Sequence, residues 1–202
     1  MKIQDYCDTV NGTLHLRTPL QHFCRGEIVT DDSEMHRQLD MLERAGQGNA
    51  PLMIRGEKGS GKDRIAQHAH QVSFRHRRPL IKTNCAYLTE EQMYIVLFGT
   101  AARPDLGLLH RAAGGSLYIE NADLMPAYIQ YQLMNHLRLQ PSEASAARLM
   151  ICLQDLGQRD GALCEQMADY FSSMVFDIPP LRKRPQDILL LAFQQLQQLW
   201  QE

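Results

Sequence analysis

This sequence is short of several things, and each shortage closes off a class of protein. No apolar run approaches the roughly 18 residues of a membrane span. The opening Met1-Lys2-Ile3-Gln4-Asp5 has no apolar stretch and does not read as a signal peptide. Charge of one sign is not in excess: Lys and Arg number 21 against 23 Asp and Glu, a formal net charge of −2, so no global basic field draws in nucleic acid. The five cysteines, Cys7, Cys24, Cys85, Cys152 and Cys164, are odd in number and show no CxxC spacing. They read as reduced, mostly buried thiols of a cytoplasmic protein rather than a disulfide or zinc framework. The eight histidines fall at no metal-ligand spacing, and there is neither an internal repeat nor a low-complexity block.

What is present is globular. Hydrophobic residues make up 44% and charged residues 22% of 202 residues, enough for a core without staples. Residues 1–27 are weakly patterned. Asp31, Asp32 and Ser33 then offer N-caps to a helix carrying Met35, Leu39 and Leu42. Strands are predicted at 51–55, 80–83, 115–119, 149–153 and 174–178. Helices are predicted from Lys62 to about Val72, from Thr89 with Gln92 completing a capping box, from Pro126 through Leu137, and from Pro185 with Leu189, Phe193, Leu196 and Trp200 in its apolar stripe. Five strands separated by helices imply an α/β fold, a parallel sheet covered by helices on both faces. The basic run Arg75-His76-Arg77-Arg78 reads as a solvated loop. His70 reads as a structural residue, and Met93, Tyr94, Val96, Leu97 and Phe98 read as core.

One segment carries chemistry. Gly56-Glu57-Lys58-Gly59-Ser60-Gly61-Lys62 fits GxxxxGK. Glycines let successive backbone N–H groups converge on phosphate oxygens, the following helix points its positive end at the same anion, and Lys62 reaches the terminal phosphates. The string alone arises by chance in roughly one chain in twenty of this length, but here it follows an apolar strand and opens a helix, as the chemistry requires. Asp63 stands where many such turns place a Ser or Thr on magnesium.

The surrounding residues resemble the AAA+ sigma-54 interaction domain of bacterial enhancer-binding transcriptional regulators. That family carries GESGTGKE, then H-x-x-S-x-R, P-F-x-x-x-N-C-A and E-L-F-G. The counterparts here are Gly56 to Asp63, His70 to Arg75, Pro79 to Ala86, and Val96-Leu97-Phe98-Gly99. Further on, G-G-T-L-F-L-D-E is matched by Gly114 to Asn121, and L-P-P-L-R-x-R-x-x-D-I by Ile178 to Ile188. The resemblance runs from about Ile28 to the C-terminus. It implies an N-terminal extension at 1–27, a P-loop AAA+ core at 28–184, and at 185–202 the first helix of a lid subdomain that is truncated at Glu202. It also implies ATP or ADP bound by Gly56, Glu57, Lys58, Gly59, Ser60, Gly61, Lys62 and Asp63.

The departures from the family bear on activity. The sigma-gripping GAFTGA loop is absent, since Phe98-Gly99 runs through 100–106 directly to Gly107. The Asp-Glu pair that holds magnesium and polarises water is Glu120-Asn121 here. Glu120 is the expected magnesium contact, and Asn121 cannot accept a proton. The sensor Thr-Asn is replaced by Leu153-Gln154, and the two trans-acting arginines by Cys164 and Tyr170, with Arg159 nearby in sequence. The resemblance therefore implies a nucleotide-binding module of transcription regulation with little hydrolysis and no direct sigma-54 contact. It would act through other AAA+ regulator subunits or copies of itself, with no membrane partner and no direct DNA binding expected from this chain. Three alternatives stay open: an active ATPase using replacement residues, a nucleotide-free scaffold, and a fragment of a longer regulator. A cyclic dinucleotide ligand is also compatible with the turn.

Overall fold

The computed structural model describes residues 7–10, 13–16, 24–25, 28–45, 48–139, 146–154 and 163–199. Arg159 and Trp200, both singled out above, lie outside them. The chain divides into two compact units, one of Met1–Asp40 with Pro179–Glu202, the other Met41–Ile178.

In the first unit, strands β1 (Cys7–Val10) and β2 (Thr13–Leu16) pair antiparallel, as do β3 (Cys24–Arg25) and β4 (Ile28–Val29). Helix α1 (Ser33–Ala45) starts where the cap residues predicted. The working cap is Asp32, whose Oδ1 accepts from the Met35 N–H at 2.9 Å. Asp187, near the start of α7 (Pro185–Leu199), is fully buried. Its carboxylate accepts from Thr30 Oγ1 at 2.8 Å, the Asp31 N–H at 2.7 Å and Arg184 Nη1 at 3.1 Å. A buried carboxylate is tolerated only when saturated with donors in this way.

The second unit is built on a five-stranded, all-parallel sheet. Its strands are β5 (Leu52–Gly56), β6 (Leu80–Asn84), β7 (Ser116–Glu120), β8 (Arg148–Gln154) and β9 (Val175–Asp177). The spatial order is β6-β7-β8-β5-β9. The predicted strands all form, each within a residue or two of its expected ends. Between them lie α2 (Lys62–Gln71), α3 (Glu90–Phe98), α4 (Leu108–Arg111), α5 (Ala127–Arg138) and α6 (Glu165–Phe171). The Thr89/Gln92 capping box is present on α3. Pro126 sits at the N-cap of α5, one residue before its expected place.

Strand alternation sorts the sheet into two faces. Met53, Leu117, Ile119, Leu149 and Ile151 join the main core with Met93 and Leu97 of α3, Leu109 of α4, Ile129 and Leu133 of α5, and Met167 and Phe171 of α6. The intervening residues Leu52, Ile54, Ser116, Tyr118, Arg148, Met150 and Cys152 are also buried, and α2 covers that second face with Ile65, Ala66 and Ala69. The whole is an α/β P-loop core. Cys85 and Cys152 are buried free thiols, as expected of small core residues. Burial pushes the Cys85 thiol up to about 12, with the nearby Asp123 and Cys152 adding to the shift.

Candidate functional site

The turn from Gly56 to Lys62 joins the C-terminal end of β5 to α2, at the edge of the sheet where parallel strands leave their ligand crevice. Its glycines serve two separate needs. Gly59 and Gly61 have φ of +80° and +96°, with open space where a Cβ would point, so the backbone conformation alone requires glycine there. A Cβ on Gly56 would lie 2.7 Å from Ser60 Oγ and 3.1 Å from Ile178 Cβ, so close packing requires glycine there. Gly61 is the N-cap of α2 and offers no capping side chain. The first N–H groups of the helix therefore face the turn, where they suit an anion. Lys62 Nζ donates to the carbonyls of Gly56 at 2.7 Å and Glu57 at 2.9 Å, which holds the ammonium against the turn.

The second component comes from β6 and β7, in register Lys82↔Tyr118 and Asn84↔Glu120. These four side chains share the α2 face of the sheet. Asn84 organises the strand ends. Its Oδ1 accepts from the Ala86 N–H at 2.9 Å, and its Nδ2 donates to Glu120 Oε2 at 3.1 Å. Both contacts fix the orientation of the amide, so the Asn121 Nδ2 donates to Asn84 Oδ1 at 2.7 Å. A carboxylate at position 121 could not make that bond. Asn121 also has φ +53°, the one non-glycine positive φ among the described residues, a conformation that asparagine accepts more readily than most residues.

Burial raises the Glu120 carboxyl above the usual carboxylate range, and Asp63 pushes it further the same way. Lys82, Lys62 and the Asn84 hydrogen bond work against both. Asp63, in the first turn of α2, is paired with Lys82 Nζ through Oδ2 at 2.9 Å. These groups offer magnesium at Glu120 a poorer set of charged oxygens than the resemblance implies. Magnesium takes charged oxygens, but Glu120 Oε2 holds the Asn84 amide, Asp63 Oδ2 holds an ammonium, and Asn121 presents N–H groups to its neighbour. Among the described residues there is no group of three or more His, Cys, Asp or Glu that could hold a metal ion. The turn itself, with its glycines, helix N-terminus and Lys62, does fit a nucleotide's phosphates.

The replaced positions can also be placed. Gln154 ends β8 beside Gly56, and its N–H donates to Asp123 Oδ1 at 3.3 Å. Cys164 is the N-cap of α6, its N–H donating to Gln130 Oε1 at 2.6 Å, and Tyr170 is exposed on that helix. Where the family has its sigma-gripping loop, residues 99–107 close on themselves. Thr100 and Arg103 exchange backbone bonds of 3.3 and 3.0 Å, and Arg103 grips Asp105 through two nitrogens at 3.1 and 3.0 Å. A Cβ on Gly107 would meet Gly99 N at 2.7 Å, so the two ends of the segment touch.

The basic run is solvated as expected at His76, Arg77 and Arg78 but not at Arg75. Arg75 is not solvated but 1% exposed. Its Nη1 donates to the carbonyls of Gly115 at 3.2 Å and Ala146 at 2.8 Å, and its Nη2 to Asn49 Oδ1 at 2.7 Å. Arg148, equally buried, donates to the carbonyls of Ala50 at 2.9 Å and Ala69 at 3.1 Å. Burial, with Arg75 nearby, pushes the Arg148 guanidinium down to about 10. His70 bonds Ser116 Oγ at 2.9 Å and the Arg78 carbonyl at 3.1 Å, the structural part expected of it. This cluster lies at the far end of α2 from the phosphate turn.

Comparison with known proteins adds the following. A model of the sigma-54 interaction domain matches residues 28–144. The chain is 32% identical over 187 residues to a nitric oxide reductase transcription regulator of Cupriavidus necator, covering 83% of this chain and 36% of the regulator. It is 31% identical over 185 residues to the formate hydrogenlyase transcriptional activator of Escherichia coli, covering 83% and 27%. It thus spans about a third, or less, of the length of these relatives. NtrX from Brucella abortus, solved in complex with ATP, matches with a TM-score of 0.74 at 27% identity over 87% of this chain and 44% of that one. The P-loop NTPase domain of a sigma-54 transport activator from E. coli, 18% identical over 74% of this chain and 98% of that one, shares the fold with a TM-score of 0.52.

Proposed function

The chain belongs to the sigma-54 interaction domain family, and from that premise we propose that it is a nucleotide-binding AAA+ module of transcription regulation that holds ATP or ADP and hydrolyses it slowly. Gly59, Gly61 and the N-terminus of α2 would receive the phosphates, and Lys62 would turn its ammonium from the Gly56 and Glu57 carbonyls toward them. Glu57, Lys58 and Ser60 complete the loop, and Asp63 stands at its mouth.

The observation that carries the reading is the Asn121-to-Asn84 hydrogen bond. At the position from which a base would polarise water, this chain presents an amide that takes no proton. Loss of a general base commonly costs about 10²–10⁴ in rate. An absent arginine finger, at the positions of Cys164 and Tyr170, removes about 10³ or more. Meanwhile the phosphate turn keeps every glycine that its geometry demands. With the segment 99–107 tied down, the module would work by contact with related regulator subunits or copies of itself rather than by gripping the sigma factor.

The test is titration calorimetry of the purified chain with ATP and ADP, beside Lys62→Ala, with phosphate release assayed on the same samples. Stoichiometric binding that is lost in the variant, with negligible release, is the expected outcome. Brisk release abolished by Lys62→Ala would replace this reading with an active ATPase. No binding at millimolar nucleotide would reduce the turn to a relic.

A further inference from the structure

We propose that Lys82 is a built-in counter-cation of the phosphate turn, so that nucleotide binds here without magnesium. The proposal rests on the nucleotide-binding reading above and adds its ionic requirement.

The mouth of the turn carries an electrostatic conflict. Asp63 directly follows Lys62 in the first turn of α2, beside the turn that faces the phosphates. Glu120 stands close enough for Asp63 to oppose its ionisation. A polyphosphate arriving there brings several negative charges toward two carboxylates, and like charges repel unless something neutralises them. In a metal-dependent site the carboxylates are tolerated because they help to hold the ion. Here one oxygen of each is already engaged, Glu120 Oε2 by the Asn84 amide and Asp63 Oδ2 by the Lys82 ammonium.

Lys82 is placed to resolve the conflict. Strand alternation puts it on the α2 face of β6, and register sets it beside Tyr118. Its ammonium lies 6.0 Å from the centre of the Tyr118 ring and 2.9 Å from Asp63 Oδ2. Lys82 and Asp63 keep 35% and 55% of their side-chain surface exposed, so a ligand at the turn can reach them. An ammonium has three N–H donors; it can keep Asp63 and still donate to a phosphate oxygen. Lys62 and Lys82 then balance Asp63 and Glu120 charge for charge, leaving the helix N-terminus and the turn's N–H groups to attract the ligand.

The experiment measures affinity for fluorescently labelled ADP by polarisation, once in excess EDTA and once in millimolar magnesium, for wild type, Lys82→Met and Lys82→Arg. Each variant is first checked for an unchanged melting temperature, as expected for a solvent-facing strand residue. The proposal expects the wild-type Kd to differ by less than about threefold between the buffers. It expects Lys82→Met to weaken binding in EDTA by about tenfold or more, the size of one lost charge-assisted bond, and Lys82→Arg to keep most of it. Wild-type binding that requires magnesium would overturn the proposal and leave nucleotide binding intact, as would Lys82→Met binding as well as wild type in EDTA. No wild-type binding in either buffer would overturn both.

Discussion

The two ends of α2 hold cations in opposite ways. At its C-terminal end Arg75 and Arg148 are buried and donate to four main-chain carbonyls and one asparagine. The Ala69 carbonyl that Arg148 grips belongs to the last turn of the helix, where a positive charge suits the dipole. At the N-terminal end Lys62 is half-buried and Lys82 exposed, and their ammonium groups bind two main-chain carbonyls and one carboxylate. Guanidinium, planar and permanently charged, serves as a fixed brace; ammonium, compact and swivelling, serves as a hand that can let go. Burial decides which cations hold the fold and which are available to a ligand.

That contrast breaks most sharply at Arg148. Arg148→Ala should cost about 3–5 kcal/mol, because it empties a core site and strands two buried carbonyls; chemical denaturation measures it, and a loss below about 1 kcal/mol would mean that the brace is dispensable. At the other end, Lys62→Ala should weaken nucleotide binding by about a hundredfold while shifting stability by less than about 1 kcal/mol. Titration and denaturation on one sample separate the two effects. Asn121→Asp should cost about 1–3 kcal/mol at pH 7 by replacing a donor with a charge beside Glu120, and part of that loss should return at pH 5 as carboxylates protonate.

The smallest effect concerns Glu120. Its folded pKa is raised, so the protonated form is the better fit. Its stabilising contribution is full below the unfolded value of about 4.3 and fades as pH climbs through the higher folded value. Glu120→Gln should therefore raise the melting temperature slightly at pH 7–8 and not at pH 4. An equal gain at both would show that the carboxylate is not being forced to ionise in a poor environment.

The sheet and its helices were legible because each strand combined an apolar run with a turn signal, and because caps such as Thr89 and Pro126 announce helix starts with one local bond or one fixed angle. The phosphate turn was legible for the same reason, since glycines at 59 and 61 meet a local backbone demand. Lys82 was not, because its meaning depends on β6 pairing with β7 and on α2 lying across that face, both settled by distant residues. Arg75 departs from its local sequence context for a related cause. A run of basic residues looks solvated until a tertiary contact supplies carbonyls, and those of Gly115 and Ala146 lie 40 and 71 residues away. Helix α6 carries no local cap signal, since its N-cap Cys164 makes no side-chain capping bond.

The meeting of Gly99 and Gly107 has a use for protein engineering. Since the chain leaves and returns at nearly one point, residues 100–106 can be exchanged for a longer segment without spreading the ends apart, and each doubling of loop length costs only about 0.6 kcal/mol in closure entropy. This makes the position a natural graft point. A relative's loop transplanted there, with stability measured before and after, would show whether the scaffold accepts the longer segment.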